Sequence, residues 1–237
     1  MSLPRSPLFR SLCAGRRAAS RGPDPTRGTR RIDRRGSPAG RAARAALLAT
    51  LAVLSAPLVH AAVWTVQVRD AGGAPVPDAV VAVELKGQPS KAAAGTAATM
   101  GQRDRQFQPQ LLIVQTGTAV NFPNFDTVRH HVYSFSPTKR FELKLYAGTP
   151  VEPVVFDKAG VAQLGCNIHD RMSAHIVVVD TPLFGRADAQ GEVRLDLPPG
   201  DHRVRLWAPR LGNAAPTAQP LTVAAGAPGV LKVELRD

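Results

Sequence analysis

Cys166, His169, Met172 and His175 fall within ten residues of one another in the stretch GCNIHDRMSAHIVVVD, residues 165 to 180. There a loop crowded with soft and borderline metal ligands runs into the apolar strand IVVV. The spacing Cys-x-x-His-x-x-Met puts thiolate, imidazole and thioether on one tight loop, a donor set that suits copper. Zinc asks for more cysteine, histidine or carboxylate and rarely takes a thioether. A redox disulfide needs a second cysteine, and a cysteine nucleophile assisted by histidine is the remaining chemistry. Two sulfur donors backed by a strand fit a metal cage better than either.

A trigonal copper site of two imidazoles and a thiolate, with a weak axial methionine, needs one further histidine. The stretch NFPNFDTVRHHVYSFS offers His130 or His131. Successive side chains of a strand point to opposite faces, so the two cannot easily face one ion together.

The elements that must hold these residues begin after a basic leader. The chain has 237 residues and a formal charge of +12, but twelve arginines against Asp24 and Asp33 fall in residues 1–61. The remainder carries 18 basic and 16 acidic side chains, so it gives no electrostatic case for nucleic acid. Within the leader, RAARAALLATLAVLSAPLVHA is a positive region followed by an apolar run from Ala45 to Val59. That run is short for a membrane span, and it ends on the small-residue pattern of a secretory signal cleaved after Ala61. A soluble periplasmic or secreted protein is expected, with no stable membrane insertion after cleavage. Cys13 would leave with the signal, making Cys166 the one cysteine of the exported chain. An unpaired thiol in an oxidising compartment is a liability that a metal bond removes.

From Ala62 onward the pattern is one of short strands and turns. VWTVQV alternates, RDAGGAPVPDA is a turn, and VVAVEL is a second strand. Residues 86–99 are small and polar and read as linker. Strands follow in LLIV, TAVNF, HHVYSFS, RFELKLY, PVVF, GVAQLGC and AHIVVVD, then in VRLDL, HRVRLWA and a last hairpin-like pair in PLTVAAGAPGVLKVELRD. Strands spaced by eight to twelve residues, with no sustained helical period, predict an all-β chain of sandwich or barrel type.

Residues 100–181 resemble the cupredoxins, small blue copper proteins. The resemblance rests on FQPQLLIVQTGTAVNFPNFD, then His-His-Val, then GCNIHDRM and IVVVD, in that order. The short Cys-x-x-His-x-x-Met loop is closer to amicyanin than to plastocyanin. The resemblance implies a Greek-key β-sandwich holding one type 1 copper ion. Carried over position by position, His130 matches the first imidazole, Cys166 the thiolate, His169 the second imidazole at the solvent edge, and Met172 the axial thioether. His131 stands where many members have an asparagine that ties the ligand loops together by hydrogen bonds.

The flanking segments resemble the two halves of a carboxypeptidase regulatory-like module, on VQVRDAGGAPVPDAVVAVEL and ADAQGEVRLDLPPGDHRVRLWA. The expected organisation is therefore a leader (1–61), a first half-sandwich (62–88), a linker (89–99), the cupredoxin unit (100–181) and a second half-sandwich (182–237). The two halves are expected to close into one small Ig-like or prealbumin-like β-sandwich, because neither has enough strands to bury a core alone.

Four protein ligands leave no strong open position, so an electron carrier is expected and an enzyme is not. The resemblance implies a redox partner such as a c-type cytochrome or an amine-oxidising dehydrogenase, by analogy. A copper carrier or resistance protein is the alternative, although the chain has only three methionines. Among the remaining residues, His175 is expected as an outward or edge residue and His202 as exposed. Met100, Tyr133, Phe135, Phe141 and Tyr146 are expected in packing, and Asp126 and Asp170 as loop caps.

Overall fold

The structure is a computed structural model, and it describes residues 62–236. The expected signal segment, with its expected cleavage after Ala61, and Cys13 lie outside the described residues. Two strands open the fold, β1 (Ala62–Arg69) and β2 (Val80–Glu84). A middle block follows with β3 (Ala97–Thr99), β4 (Gly101–Arg103), β5 (Gln106–Gln108), β6 (Leu111–Gln115), β7 (Thr118–Asn121), β8 (His130–Ser134), β9 (Phe141–Tyr146), β10 (Val154–Phe156), β11 (Gly160–Gly165) and β12 (Ser173–Val179). The chain closes with β13 (Phe184–Arg186), β14 (Glu192–Leu197), β15 (Gly200–Trp207), β16 (Thr217–Val223) and β17 (Val230–Glu234). The protein is all-β, as the turn and strand pattern predicts. Among the described residues no helix is long and apolar enough to cross a membrane.

Strands from the two ends of the sequence pair with one another. β1 lies between β14, antiparallel, and β17, parallel, while β2 lies between β13 and β15, with β16 beyond. In β1 the buried residues Trp64, Val66 and Val68 alternate with partly exposed Thr65 and Gln67, the period of a strand with one wet face. They meet Val81, Val83, Val204, Leu206, Leu221 and Val233 in one core between the two sheets. β16 and β17 are not a hairpin pair, contrary to the sequence expectation. β16 joins β15 in one sheet and β17 joins β1 in the other, so Leu221 and Val233 reach the same core from opposite sides.

The middle block builds a five-stranded sheet, β6-β12-β11-β8-β9, facing a smaller sheet, β10-β7-β3. The turn at Thr116–Gly117 carries the chain from β6 in the first sheet to β7 in the second. Phe107, Phe122, Val132, Phe156, Leu164 and Ile176 fill the space between the sheets, with Met100 fully buried among them. β3 occupies the end of the stretch expected to be linker. Ala97–Thr99 runs parallel to Ala119–Asn121, and its small residues hide a strand that the hydropathy pattern does not show.

All five residues of β2 are buried. Val81 and Val83 face the outer core, whereas Val80 and Ala82 face the middle block. There they join Trp207 of β15 against Leu111, Val161, Val177 and Val179 of the five-stranded sheet. The outer sandwich thus packs on the back of the sheet whose front carries the site residues.

Candidate metal centre

His130 is the first residue of β8, and the pairing of β8 with β9 is irregular between His130 and Val132. That shift lets His130, His131 and Val132 all be buried, in three different surroundings. Val132 enters the core. His131 turns toward β9, where its Nε2 lies 2.9 Å from Oε1 of Glu142 and its ring 5.5 Å from that of Tyr133. His130 turns toward the loop after β11, its ring centroid 5.1 Å from that of His169.

Cys166 follows β11 directly and is buried. His169 is partly exposed, and its Nδ1 lies 3.8 Å from Cys166 Sγ. The backbone N–H of Met172 donates to the carbonyl of His169 at 2.9 Å, which closes the loop into a turn. Met172 is only 1% exposed and lies in the same apolar core as Cys166. One ligating atom each from His130, Cys166 and His169 lies within 4.8 Å of the others. Two strands and one turn thus bring His130 against residues that lie 36 and 39 positions further along the chain.

The nitrogens of His130 are sorted by their surroundings. Nε2 lies 2.7 Å from Oδ2 of Asp126. Nδ1 is buried and has no hydrogen-bond partner. Asp126 itself accepts from the backbone N–H groups of Asp104, at 2.7 Å, and Arg105, at 3.0 Å. Burial pulls the Asp126 carboxyl upward, but the donors Arg105, His130 and Asp104 outweigh it and hold the group below its ordinary value. An ionised Asp126 accepts the hydrogen bond of Nε2–H, which leaves the Nδ1 lone pair for a ligand. Histidines that hold metals are oriented in this way by a carboxylate on the other ring nitrogen.

Asn124 fixes the loop that carries Asp126. Its side-chain amide donates to the carbonyls of Val128 (2.9 Å) and Tyr146 (3.0 Å), and its Oδ1 accepts from the N–H of Asp126 (2.9 Å). Tyr146 donates to the carbonyl of Phe122 at 2.7 Å and contacts Gln102, and burial pushes its phenol up to about 12. The sequence offers no signal for Asn124 beyond its place near the histidines. Asp126 was legible as a loop cap, but its bond to His130 was not.

Other residues sit differently from expectation. His175 is not at an edge, because β12 lies between β6 and β11. Its ring packs 5.1 Å from that of Trp207, its Nε2 is buried without a partner, and burial lowers its pKa. His202 is buried, not exposed. Its Nδ1 accepts from the N–H of Lys86 (3.1 Å) and its Nε2 donates to the carbonyl of Pro198 (2.8 Å), so both polar atoms are satisfied inside the fold. Phe135 lies one residue past the end of β8 and is 69% exposed, its ring 5.0 Å from that of Tyr133. It lines an open groove of about 610 Å³ with Tyr133, Cys166, Asp170, Met172 and Asn213.

Fold and site together define an all-β chain of two packed sandwiches whose inner unit gathers two imidazoles and a thiol beside a buried thioether. No protein-family model matches the chain, and no curated protein matches it in sequence. Among solved structures, a mutant of amicyanin in its reduced state is 19% identical over 41% of this chain and 97% of its own, with a TM-score of 0.31. A purple cupredoxin from Nitrosopumilus maritimus is 20% identical over 35% of this chain and 98% of its own, with a TM-score of 0.30. A Cu-containing nitrite reductase from Thermus scotoductus SA-01 is 24% identical over 38% of this chain and 25% of its own, with a TM-score of 0.33.

Proposed function

We propose that the chain is a copper protein of the cupredoxin type that carries single electrons between redox partners. The observation that supports this most directly is the convergence of His130, Cys166 and His169, with Nδ1 of His130 buried and otherwise unpartnered. A buried imidazole nitrogen without a partner is costly unless something binds it. The donors fit copper: two imidazoles, a thiolate, and Met172 as the axial thioether. Zinc is disfavoured by the thioether and by the lack of a fourth strong donor.

When bound, one copper ion held this way would supply a one-electron couple. The chain's contribution is to hold the donors still. His130 stands on a strand with its far nitrogen tied to Asp126. Cys166 and Met172 are buried with the apolar core on one side and border the groove lined by Phe135 on the other. His169, the one partly exposed member, is the edge through which a partner protein would couple. Export to the periplasm or beyond fits the leader and the single unpaired thiol. A c-type cytochrome or an amine-oxidising dehydrogenase is the class of partner proposed by analogy.

The test is the visible spectrum of the purified protein with Cu(II). An intense thiolate-to-copper charge-transfer band at one copper per chain is expected, absent in Cys166→Ser and in His130→Ala but retained in His131→Ala. A colourless complex would overturn the reading. Reversible voltammetry of the loaded protein separates an electron carrier from a copper carrier.

A further inference from the structure

The strand that carries His130 and the strand that leads into Cys166 are neighbours in one sheet, yet the ladder between them is short. β11 pairs with β12 at six positions, from Gly160 to Gly165. It pairs with β8 at one, Gly165 opposite Tyr133. Beyond that position β8 ends at Ser134, and past its end a side chain makes a link to β11. The N–H of Gln163 donates to the hydroxyl oxygen of Ser136, at 3.0 Å.

Ser136 does not stand alone. Its hydroxyl donates to Oδ1 of Asn213 at 3.0 Å, and Nδ2 of Asn213 donates to Oε1 of Gln163 at 2.7 Å. The three residues form a closed ring of hydrogen bonds in which each both donates and accepts, an arrangement in which the bonds strengthen one another. Asn213 belongs to the outer sandwich, just past the 3₁₀ turn Pro209–Leu211 that follows β15. That turn is pinned by the indole N–H of Trp207, which donates to the carbonyl of Gly212 at 3.1 Å. Gln163 lies three residues before Cys166, and Ser136 lies two residues past the end of β8.

We propose that Asn213 is a positioning residue for the metal centre. Through it the outer sandwich replaces the missing ladder and fixes the spacing of β8 and β11, and with it the placement of His130 against Cys166. The proposal rests on the reading of the cluster as a copper site. It assigns the outer sandwich a part in the chemistry beyond support. Asn213 bonds to Ser136 and Gln163, and its effect on the cluster passes through them.

The experiment compares Asn213→Ala with Thr222→Ala, a control that removes a hydrogen bond to Asp201 elsewhere in the outer sandwich. In the metal-free protein, amide exchange at Gln163 is expected to quicken about fivefold in Asn213→Ala, the weight of one hydrogen bond, and to stay unchanged in the control. In the Cu(II)-loaded protein, the charge-transfer band and the reduction potential are expected to shift in Asn213→Ala alone. Unchanged exchange at Gln163 overturns the proposal. So does faster exchange with an unaltered copper signature, because Asn213 would then be structural only. If Asn213→Ala lowers global stability, Asn213→Asp carries the same comparison, since it keeps the acceptor for Ser136 and loses the donor to Gln163. A wild-type protein that takes up no copper sinks the functional reading instead, and the exchange arm still decides whether Asn213 ties the strands.

Discussion

The carboxylate of Asp126 lies 2.7 Å from Nε2 of His130, and this one contact decides which nitrogen of the ring is free. Asp126 is held in turn by the backbone N–H groups of Asp104 and Arg105, both at positive φ in the tight β4–β5 turn. Orientation of the buried imidazole therefore begins in a hairpin distant in sequence. Replacing Asp126 with Ala removes the acceptor and frees the ring to turn. Loss of such a partner typically lowers metal affinity by about 10- to 100-fold. Competition titration with a copper chelator should show a loss in that range for Asp126→Ala and a smaller one for Asp126→Asn. Equal affinity in all three proteins would show that Asp126 does not orient the ligand.

Gly165 is the residue before Cys166, and the ring of Tyr133 lies against it. A Cβ at position 165 would come within 2.7 Å of both Cζ and Oη of Tyr133. Gly165→Ala should therefore destabilise the fold by about 1–3 kcal/mol, the usual cost of overpacking. The cost should shrink in the Tyr133→Ala background, where the ring is gone. Urea unfolding of the two single variants and the double variant gives the coupling directly. Additive effects would show that the ring has room to move.

Much of this was legible in the sequence because its signals are local. The alternation in VWTVQV marks a half-wet strand, and Trp64, Val66 and Val68 do face one core. The order of His130, Cys166, His169 and Met172 needed only the resemblance, and the fold brings the first three together. What escaped depended on contacts distant in sequence. His202 looked exposed because its strand alternates, but the Lys86 N–H and the Pro198 carbonyl satisfy it indoors. His175 looked like an edge residue because nothing local shows that Trp207, 32 positions on, covers it. Phe135 looked like core because it continues the HHVYS pattern, yet the strand stops at Ser134. β3 escaped because its small residues give only a weak hydropathy signal, although Ala98 packs partly buried against the inner core and the strand pairs with β7.

Trp207 holds the two sandwiches together. It is fully buried and packs with Val80 and Ala82 against Leu111, Val161, Val177 and Val179. Trp207→Ala should cost about 3–5 kcal/mol, the range for removing a large aromatic from a core. Trp207→Phe should cost less, losing some area and the indole bond to Gly212. Urea midpoints of the three proteins check the order. An Ala variant within about 1 kcal/mol of wild type, well under that range, would show that the joint between the sandwiches is soft.

His175 predicts how that joint responds to acid. Its ring packs on Trp207, its Nε2 is buried without a partner, and burial holds its pKa below the ordinary histidine value near 6.5. In the window between the lowered folded value and about 6.5, the unfolded chain binds more protons than the folded one at this position. Stability therefore rises with pH across that window and is lost as pH falls below about 6.5. His175→Phe removes the titrating group while keeping an aromatic ring against Trp207. Urea midpoints of the metal-free proteins, measured from about pH 5 to about pH 8, should fall more steeply toward acid in wild type than in His175→Phe, with the curves converging in slope above about pH 7. The difference between the two isolates this residue from the other histidines. Parallel curves over the whole range would show that His175 binds its proton equally well in the folded and unfolded chain.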